Sequence, residues 1–91
     1  MKTVRAAVRI TGRVQGVWFR QSTKNTADKY GVKGWVRNNP DRSVEAIFEG
    51  QRQNVEAIID WCHYGPELAN VEQVQVDWRP ATGEFNDFQV R

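Results

Sequence analysis

The residues best suited to chemistry lie in one stretch, Gly12-Arg13-Val14-Gln15-Gly16-Val17-Trp18-Phe19-Arg20. It follows an alternating segment and leads into a helical one, so Arg20 falls in the first helical turn. A helix N-terminus carries roughly +0.5 of an elementary charge and N–H groups without a partner in the helix. A cation there is stabilised when an anion binds between it and those amides. The stretch therefore indicates a small-anion site, and the alternative is a solvated arginine after an ordinary turn.

The glycine spacing distinguishes this stretch from the familiar nucleotide-binding loops. A P-loop has the pattern G-x-x-x-x-G-K-[ST], whereas Gly12 and Gly16 are closer together and Val17 stands in the lysine position. A dinucleotide fingerprint has a different spacing and belongs to a doubly wound fold. No paired acidic cluster is available for Mg²⁺. We therefore expect backbone amides and Arg20 to hold the anion without a metal.

Asn38 is the second candidate, because it ends a predicted strand directly before a turn. Its side-chain amide both donates and accepts hydrogen bonds, so it can orient a water molecule. The alternative is a purely structural asparagine, since this residue is frequent at turns. Cys62 and His63 are the single cysteine and the single histidine. They allow no internal disulfide and too few ligands for a Cys/His metal site, so we expect Cys62 in the core and His63 to be structural or solvated.

The composition predicts a single soluble domain spanning residues 1–91, with 40% hydrophobic and 26% charged residues. A net charge of +2, from dispersed Lys and Arg, suits a small anionic substrate better than nucleic acid. No apolar run approaches the roughly 20 residues of a membrane-spanning helix. Charged residues interrupt the apolar positions at the N-terminus, unlike a signal peptide. We therefore expect a cytoplasmic protein without a membrane or nucleic-acid partner.

Segments in which apolar residues alternate with other residues predict the strands. They are Val4–Thr11, Val32–Asn38, Ser43–Glu49, a segment that begins at about Val71, and a short closing strand that contains Phe85, Phe88 and Val90. Pro40 fixes the backbone in the turn between the second and third strands, so these two form a hairpin.

Two segments with helical spacing separate these strands. The first, Arg20–Tyr30, has a moderate apolar stripe and ends at Gly31. The second begins after Gly50, which we expect to break the chain, and its strong stripe comprises Val55, Ile58, Ile59 and Cys62. The order βαββαβ plus a short strand is the split βαβ, or ferredoxin-like, arrangement. We expect an α+β fold in which two helices cover one face of an antiparallel sheet.

Two segments resemble the signature segments of the acylphosphatase family. They are Ile10–Arg20, with the sequence ITGRVQGVWFR, and Gly34–Glu45, with the sequence GWVRNNPDRSVE. Shorter matches follow the family layout along the rest of the chain, at Glu49-Gly50, Trp61-Cys62, Gly65-Pro66 and the strand with Val74, Val76 and Trp78. The two joined motifs are highly specific, and the resemblance covers essentially the whole chain.

The resemblance implies an enzyme that hydrolyses acyl phosphates to a carboxylate and inorganic phosphate without a metal or cofactor. It implies that Arg20 binds the phosphate and that Asn38 orients the attacking water. The backbone amides that would complete the phosphate cradle are those of Gln15, Gly16, Val17, Trp18 and Phe19. The leaving carboxylate has a pKa of about 4 and needs no strong general acid, and in the family proposal the substrate phosphate accepts the water's proton. We expect a monomer with a small-molecule acyl phosphate as its substrate.

Two residues depart from the family pattern. Trp18 fills a variable position that is often small, so it either lines the mouth of the site or packs against the loop. Arg42 stands where many relatives have glycine, so the turn either keeps a left-handed residue there, which costs roughly 1–2 kcal/mol, or takes another shape. This turn directly follows Asn38 and affects its placement.

Two other functions use the same order of elements. An RNA-recognition domain stacks bases on sheet aromatics, but the segment Ser43–Glu49 lacks the corresponding strand pattern. A catalytically silent domain that docks to a protein partner is the second alternative. The presence of both Arg20 and Asn38 argues against it.

Overall fold

The elements of the computed structural model, which describes residues 3–91, follow the predicted order. The strands are β1 (Thr3–Arg13), β2 (Lys33–Asn38), β3 (Val44–Gln51), β4 (Asn70–Pro80) and β5 (Phe88–Val90). The helices are α1 (Phe19–Tyr30) and α2 (Arg52–Cys62). This order confirms the ferredoxin-like arrangement. Within residues 3–91, no helix is both long and apolar enough to cross a membrane.

The strands lie side by side in the order β4-β1-β3-β2-β5. The pairs β1–β3, β1–β4 and β2–β3 are antiparallel, but β5 runs parallel to β2. Three of the four strand pairs thus follow the predicted antiparallel sheet, and β5 is the exception. The reason is that Pro80 ends β4 beside Val4, at the end of the sheet where β2 begins. The following segment crosses to the opposite edge at that end, so β5 starts beside the start of β2 and runs the same way.

The core lies between the sheet and the helices, as the alternation in β1 and β3 predicts. The buried side chains on that face of the sheet include Ala6, Val8, Ile10, Val44, Ala46 and Phe48, and those of α2 are Val55, Ile58, Ile59 and Cys62. Cys62 is fully buried, which confirms the predicted core role, and burial raises the pKa of its thiol. His63 follows α2 and is exposed. Thr23 is buried as well, and its hydroxyl donates to the carbonyl of Phe19 at 2.7 Å.

Gly50 does not break the chain as expected. It lies inside β3, which continues to Gln51, and α2 starts at the next residue. Gly50 pairs with Val4 of β1, and a β-carbon added to it would make only ordinary contacts at 3.8 Å. Pairing with β1 therefore outweighs the weak strand preference of glycine.

Gly34 marks the closest approach between β2 and β3. Its φ is 136°, and a β-carbon built on it would lie 1.8 Å from the carbonyl oxygen of Ile47. Its N–H donates to the carbonyl of Asp87 at 3.0 Å, directly before β5. Any side chain at this position would push β2 away from β3.

We expect Gly34→Ala to lower the free energy of unfolding by at least about 2 kcal/mol, because steric overlap adds to an unfavourable φ. Gly83→Ala is the matched control, since Gly83 also has a left-handed φ, 72°, but an added β-carbon there meets nothing within 4 Å. Urea unfolding followed by circular dichroism measures both variants. Equal losses would contradict the steric explanation.

The sheet face opposite the helices carries a largely buried ion pair between Arg5 and Glu49. Arg5 Nε donates to Glu49 Oε2 at 3.0 Å, and the two side chains are only 14% and 6% exposed. The N–H groups of Thr82 and Gly83 donate to the same carboxylate at 3.2 and 2.8 Å. Burial raises the pKa of Glu49, but the hydrogen bonds outweigh burial and hold this pKa below its ordinary value. The carboxylate thus fixes the segment that leads to β5.

We expect Glu49→Gln to lower the free energy of unfolding near pH 7 by roughly 2–4 kcal/mol, because Arg5 loses the buried one of its two carboxylate partners and keeps only the exposed Glu84. Since the pKa of Glu49 is lowered on folding, its stabilisation is complete above the unfolded pKa, about 4.5, and is lost as pH falls through the folded pKa. The difference between wild type and variant should therefore shrink below about pH 4. Urea titrations at about pH 7, 5 and 3 test this, and a constant difference would contradict it.

Candidate active site

An open cavity of about 450 Å³ lies where the loop after β1 meets the end of β2. The two segments are neighbours because Ile10 pairs with Val44, and Val44 pairs in turn with Asn38. The lining residues are Val14, Gly16, Trp18, Phe19, Arg20, Gln21, Asn38 and Val90. The structure thus brings both predicted catalytic side chains, Arg20 and Asn38, to one cavity.

The predicted phosphate-binding residues divide into two groups. Gly16, Trp18 and Phe19 line the cavity, whereas Gln15 and Val17 are not among its lining residues. Val17 is buried in the core, so its side chain anchors the loop from beneath. The roles predicted for these five residues rest on their backbone amides and stay predictions.

The backbone of this loop leads directly into an uncapped helix. Gly16 and Trp18 have φ values of 73° and 67°, both left-handed. Left-handed residues in a loop help successive N–H groups to point towards a common centre. Trp18 is the N-cap of α1 but makes no side-chain capping hydrogen bond, and the first turn has no acidic residue. The first N–H groups of α1 therefore have no capping side chain, which is the arrangement that favours anion binding.

Arg20 is held against the end of β5. Its Nη1 donates to the main-chain oxygen of Arg91 at 2.9 Å, and the N–H of Arg91 donates to the carbonyl of Val36 at 2.8 Å. Among residues 3–91, no side-chain carboxylate lies within 4.0 Å of the Arg20 guanidinium nitrogens. Its positive charge therefore has no anionic side chain beside it.

Asn38 lies on the helix-covered face of β2, two residues after the buried Val36. Its side-chain oxygen, Oδ1, is buried and accepts no hydrogen bond from residues 3–91. A buried acceptor without a partner costs about 1–3 kcal/mol, so such an atom in a native site calls for a partner from outside the chain. A water molecule in the cavity is a suitable donor to it.

The turn that follows Asn38 takes the shape that a glycine would favour. Arg42 has a φ of 74°, and its N–H donates to the carbonyl of Asn39 at 3.1 Å. Asp41 accepts from the hydroxyl and the N–H of Ser43 at 2.6 and 3.0 Å, and it pairs with Arg9. Hydrogen bonds from Ser43, followed by that from Arg9, lower the pKa of Asp41 to about 2. These contacts stabilise the turn in its left-handed conformation, although Arg42 is not glycine.

The side chain of Gln15 connects the loop to this turn. Its Nε2 donates to the carbonyls of Asn39 and Ser43 at 2.8 and 3.0 Å. The sequence indicated only a backbone role for Gln15, because no local pattern reveals partners so far along the chain. The same holds for the end of the chain, where β5 supplies Val90 to the cavity and Arg91, directly after β5, supplies a main-chain oxygen to Arg20. Across residues 3–91, no three His, Cys, Asp or Glu side chains come together as a metal-binding group.

Comparisons with known proteins show the family to which the chain belongs. A family model described as Acylphosphatase matches residues 6–90. The chain is 54% identical over 91 residues to an acylphosphatase of Pyrobaculum islandicum, a match that covers 99% of this chain and 96% of the relative. A solved acylphosphatase structure from Coxiella burnetii superposes with a TM-score of 0.93 at 31% identity, covering 99% of this chain and 94% of that one. One from Bacillus subtilis gives 0.93 at 27% identity, covering 97% and 98%. The chain therefore belongs to the acylphosphatase family.

Proposed function

We propose that the chain hydrolyses acyl phosphates by direct attack of water on a phosphate group held by Arg20 and the loop amides, without a metal ion. Family membership supports the reaction class. The observation that supports this mechanism most is the meeting, at one cavity, of a guanidinium with no side-chain carboxylate beside it, an uncapped helix N-terminus and the unpartnered Oδ1 of Asn38 among residues 3–91.

Arg20 and the amides act on the phosphate. The planar guanidinium can donate two parallel hydrogen bonds to phosphate oxygens, which a lysine cannot do. The loop amides are fixed donors that need no reorganisation as charge redistributes in the transition state. Phosphoryl transfer depends mainly on such positioning and charge stabilisation. These donors therefore supply the binding half of the site.

Asn38 acts on the water. Its buried Oδ1 accepts a hydrogen bond from the water, so that an oxygen lone pair of the water faces phosphorus. The new bond joins the water oxygen to phosphorus while the bond between phosphorus and the acyl oxygen breaks. The acyl group leaves as a carboxylate with a pKa of about 4, and a phosphate oxygen takes the water's proton. No further acid or base is required.

The open sheet face offers little support for the RNA-binding alternative. Its tryptophan, Trp35, is half-buried, and the guanidinium groups of Arg37 and Arg91 lie 5.0 and 4.9 Å from its ring centre. Arg37 is also paired with Glu45. A base would have to displace these groups before it could stack on the ring.

We expect Arg20→Ala and Asn38→Ala each to lower kcat/KM for acetyl phosphate at least about 100-fold in excess EDTA, because each loses transition-state contacts. Asn38→Ala should act on kcat, whereas Arg20→Ala should also raise KM. Arg13→Ala, which removes an exposed arginine outside the cavity, is the control and should behave as wild type.

Circular dichroism of the same variants separates chemistry from folding. Loss of the far-UV signal in Arg20→Ala or Asn38→Ala would make the effect structural. Wild-type activity that disappears in EDTA would contradict metal-free hydrolysis, and no acyl-phosphate hydrolysis at all would overturn the proposed function.

We expect Gln15→Ala to lower kcat about 10- to 100-fold while KM changes by less than about threefold, since misalignment of bound water and bound phosphate affects the chemical step. The substitution keeps the backbone amide but removes both bonds to the turn. Inhibition by inorganic phosphate should stay unchanged, because the substitution keeps Arg20 and every backbone amide of the loop, which hold the phosphate. A parallel rise in KM and in the phosphate inhibition constant would show that Gln15 shapes the phosphate loop instead.

A further inference from the structure

The side chain of Trp18 stands at the mouth of the cavity rather than in the core. It lines the cavity and is 75% exposed. Apolar surface of this size is normally buried, since its exposure to water is unfavourable. The exposure also shows that the indole does not pack closely against its own loop, which was the alternative role for this residue.

The backbone at this position does not require a tryptophan. Trp18 has a φ of 67° and a ψ of 19°, a conformation that is unfavourable for any residue with a β-carbon. Glycine adopts it readily, as Gly16 does two residues earlier with a φ of 73°. Glycine would remove both the strain and the exposed indole. A strained and exposed aromatic residue beside a catalytic cavity points to a contact with a ligand.

The cavity has polar and apolar parts, as an acyl phosphate has. Arg20, Asn38 and the loop amides would face the phosphate and the water. Among the apolar lining residues, Val14 and Phe19 are almost fully buried, whereas Trp18 and Val90, which is 39% exposed, present surface to a ligand. Because the amide of Trp18 belongs to the phosphate cradle, its indole starts close to the phosphate and within reach of the attached acyl group.

We propose that the indole of Trp18 forms the acyl-binding wall of the cavity, so that acyl phosphates with an aromatic acyl group are preferred over acetyl phosphate. This inference rests on the proposed function. An aromatic acyl group offers a flat apolar face that can stack on the indole or meet it edge to face. A methyl group offers little of that contact.

The contact should act on substrate binding more than on the chemical step. The carbon skeleton of the acyl group hardly changes between bound substrate and transition state, so the contact stabilises both about equally. Such uniform binding lowers KM and leaves kcat nearly the same. This separates Trp18 from Arg20 and Asn38, whose loss should lower kcat.

The test compares kcat and KM for benzoyl phosphate and acetyl phosphate, in EDTA, in wild type and four variants. The ratio of kcat/KM for benzoyl phosphate to kcat/KM for acetyl phosphate should fall about tenfold in Trp18→Ala and Trp18→Gly, because the KM for benzoyl phosphate rises. Trp18→Phe should keep this ratio within about threefold. Comparing ratios between variants cancels the different intrinsic reactivity of the two substrates.

Trp78→Ala is the matched control. Trp78 is 37% exposed on the edge strand β4, where it lines a separate cavity beside Arg52. It should leave the ratio unchanged. Trp18→Gly also separates the effect of losing the indole from the effect of the left-handed backbone, because glycine relieves the backbone strain that alanine keeps.

Three results would overturn the inference. An unchanged ratio in Trp18→Ala, with both substrates hydrolysed, would show that the indole does not contact the acyl group. A fall of this ratio in Trp18→Ala that is absent in Trp18→Gly would assign the effect to the backbone conformation rather than to the indole. Failure of wild type to hydrolyse either substrate would overturn the proposed function, and this inference with it.

Discussion

Two hydrogen bonds from one side-chain amide, that of Gln15, relate the two halves of the site to each other. The loop and Arg20 depend on β1 and α1, whereas Asn38 belongs to β2. These strands are not neighbours, since β3 lies between them and separates them by roughly 10 Å. The side chain of Gln15 connects the loop after β1 to the carbonyls of Asn39 and Ser43, which flank the turn between β2 and β3. The link therefore helps to set how Arg20 and Asn38 are placed relative to each other at the cavity.

The direction of β5 determines how Arg20 is held. A cation near a helix N-terminus is unfavourable, and Arg20 has only the main-chain oxygen of Arg91 as a hydrogen-bond partner among residues 3–91. That oxygen reaches the cavity because β5 runs parallel to β2 and ends beside Val36. An antiparallel β5 would end at the opposite end of the sheet. The mixed sheet therefore serves the site, because it brings a main-chain oxygen that orients the guanidinium of Arg20 at the edge of the cavity.

Local patterns predicted what depends on neighbours in the chain. The apolar stripe of α2 predicted the burial of Cys62. The preceding loop predicted the position of Arg20 at the start of α1. Alternation along β2 places Asn38 on the same face of the strand as Val36. What could not be predicted depends on distant partners. Gln15 finds its acceptors 24 and 28 residues away. Gly50 becomes part of β3 through pairing with Val4, and β5, with three residues, is too short to show a period or a direction.

Backbone strain concentrates around the cavity. Trp18 and Arg42 are the non-glycine residues with left-handed φ among residues 3–91, and they lie in the two segments that border the site. Such strain persists where contacts with the surrounding structure enforce the backbone conformation. Hydrogen bonds of Asp41 with Ser43 fix the turn at Arg42. At Trp18 the side chains of its immediate neighbours, Val17 and Phe19, are both buried and hold the backbone from each side. Whatever side chain stands at position 18 must then point outward, so its chemistry can change while the core and the loop after β1 keep their shape.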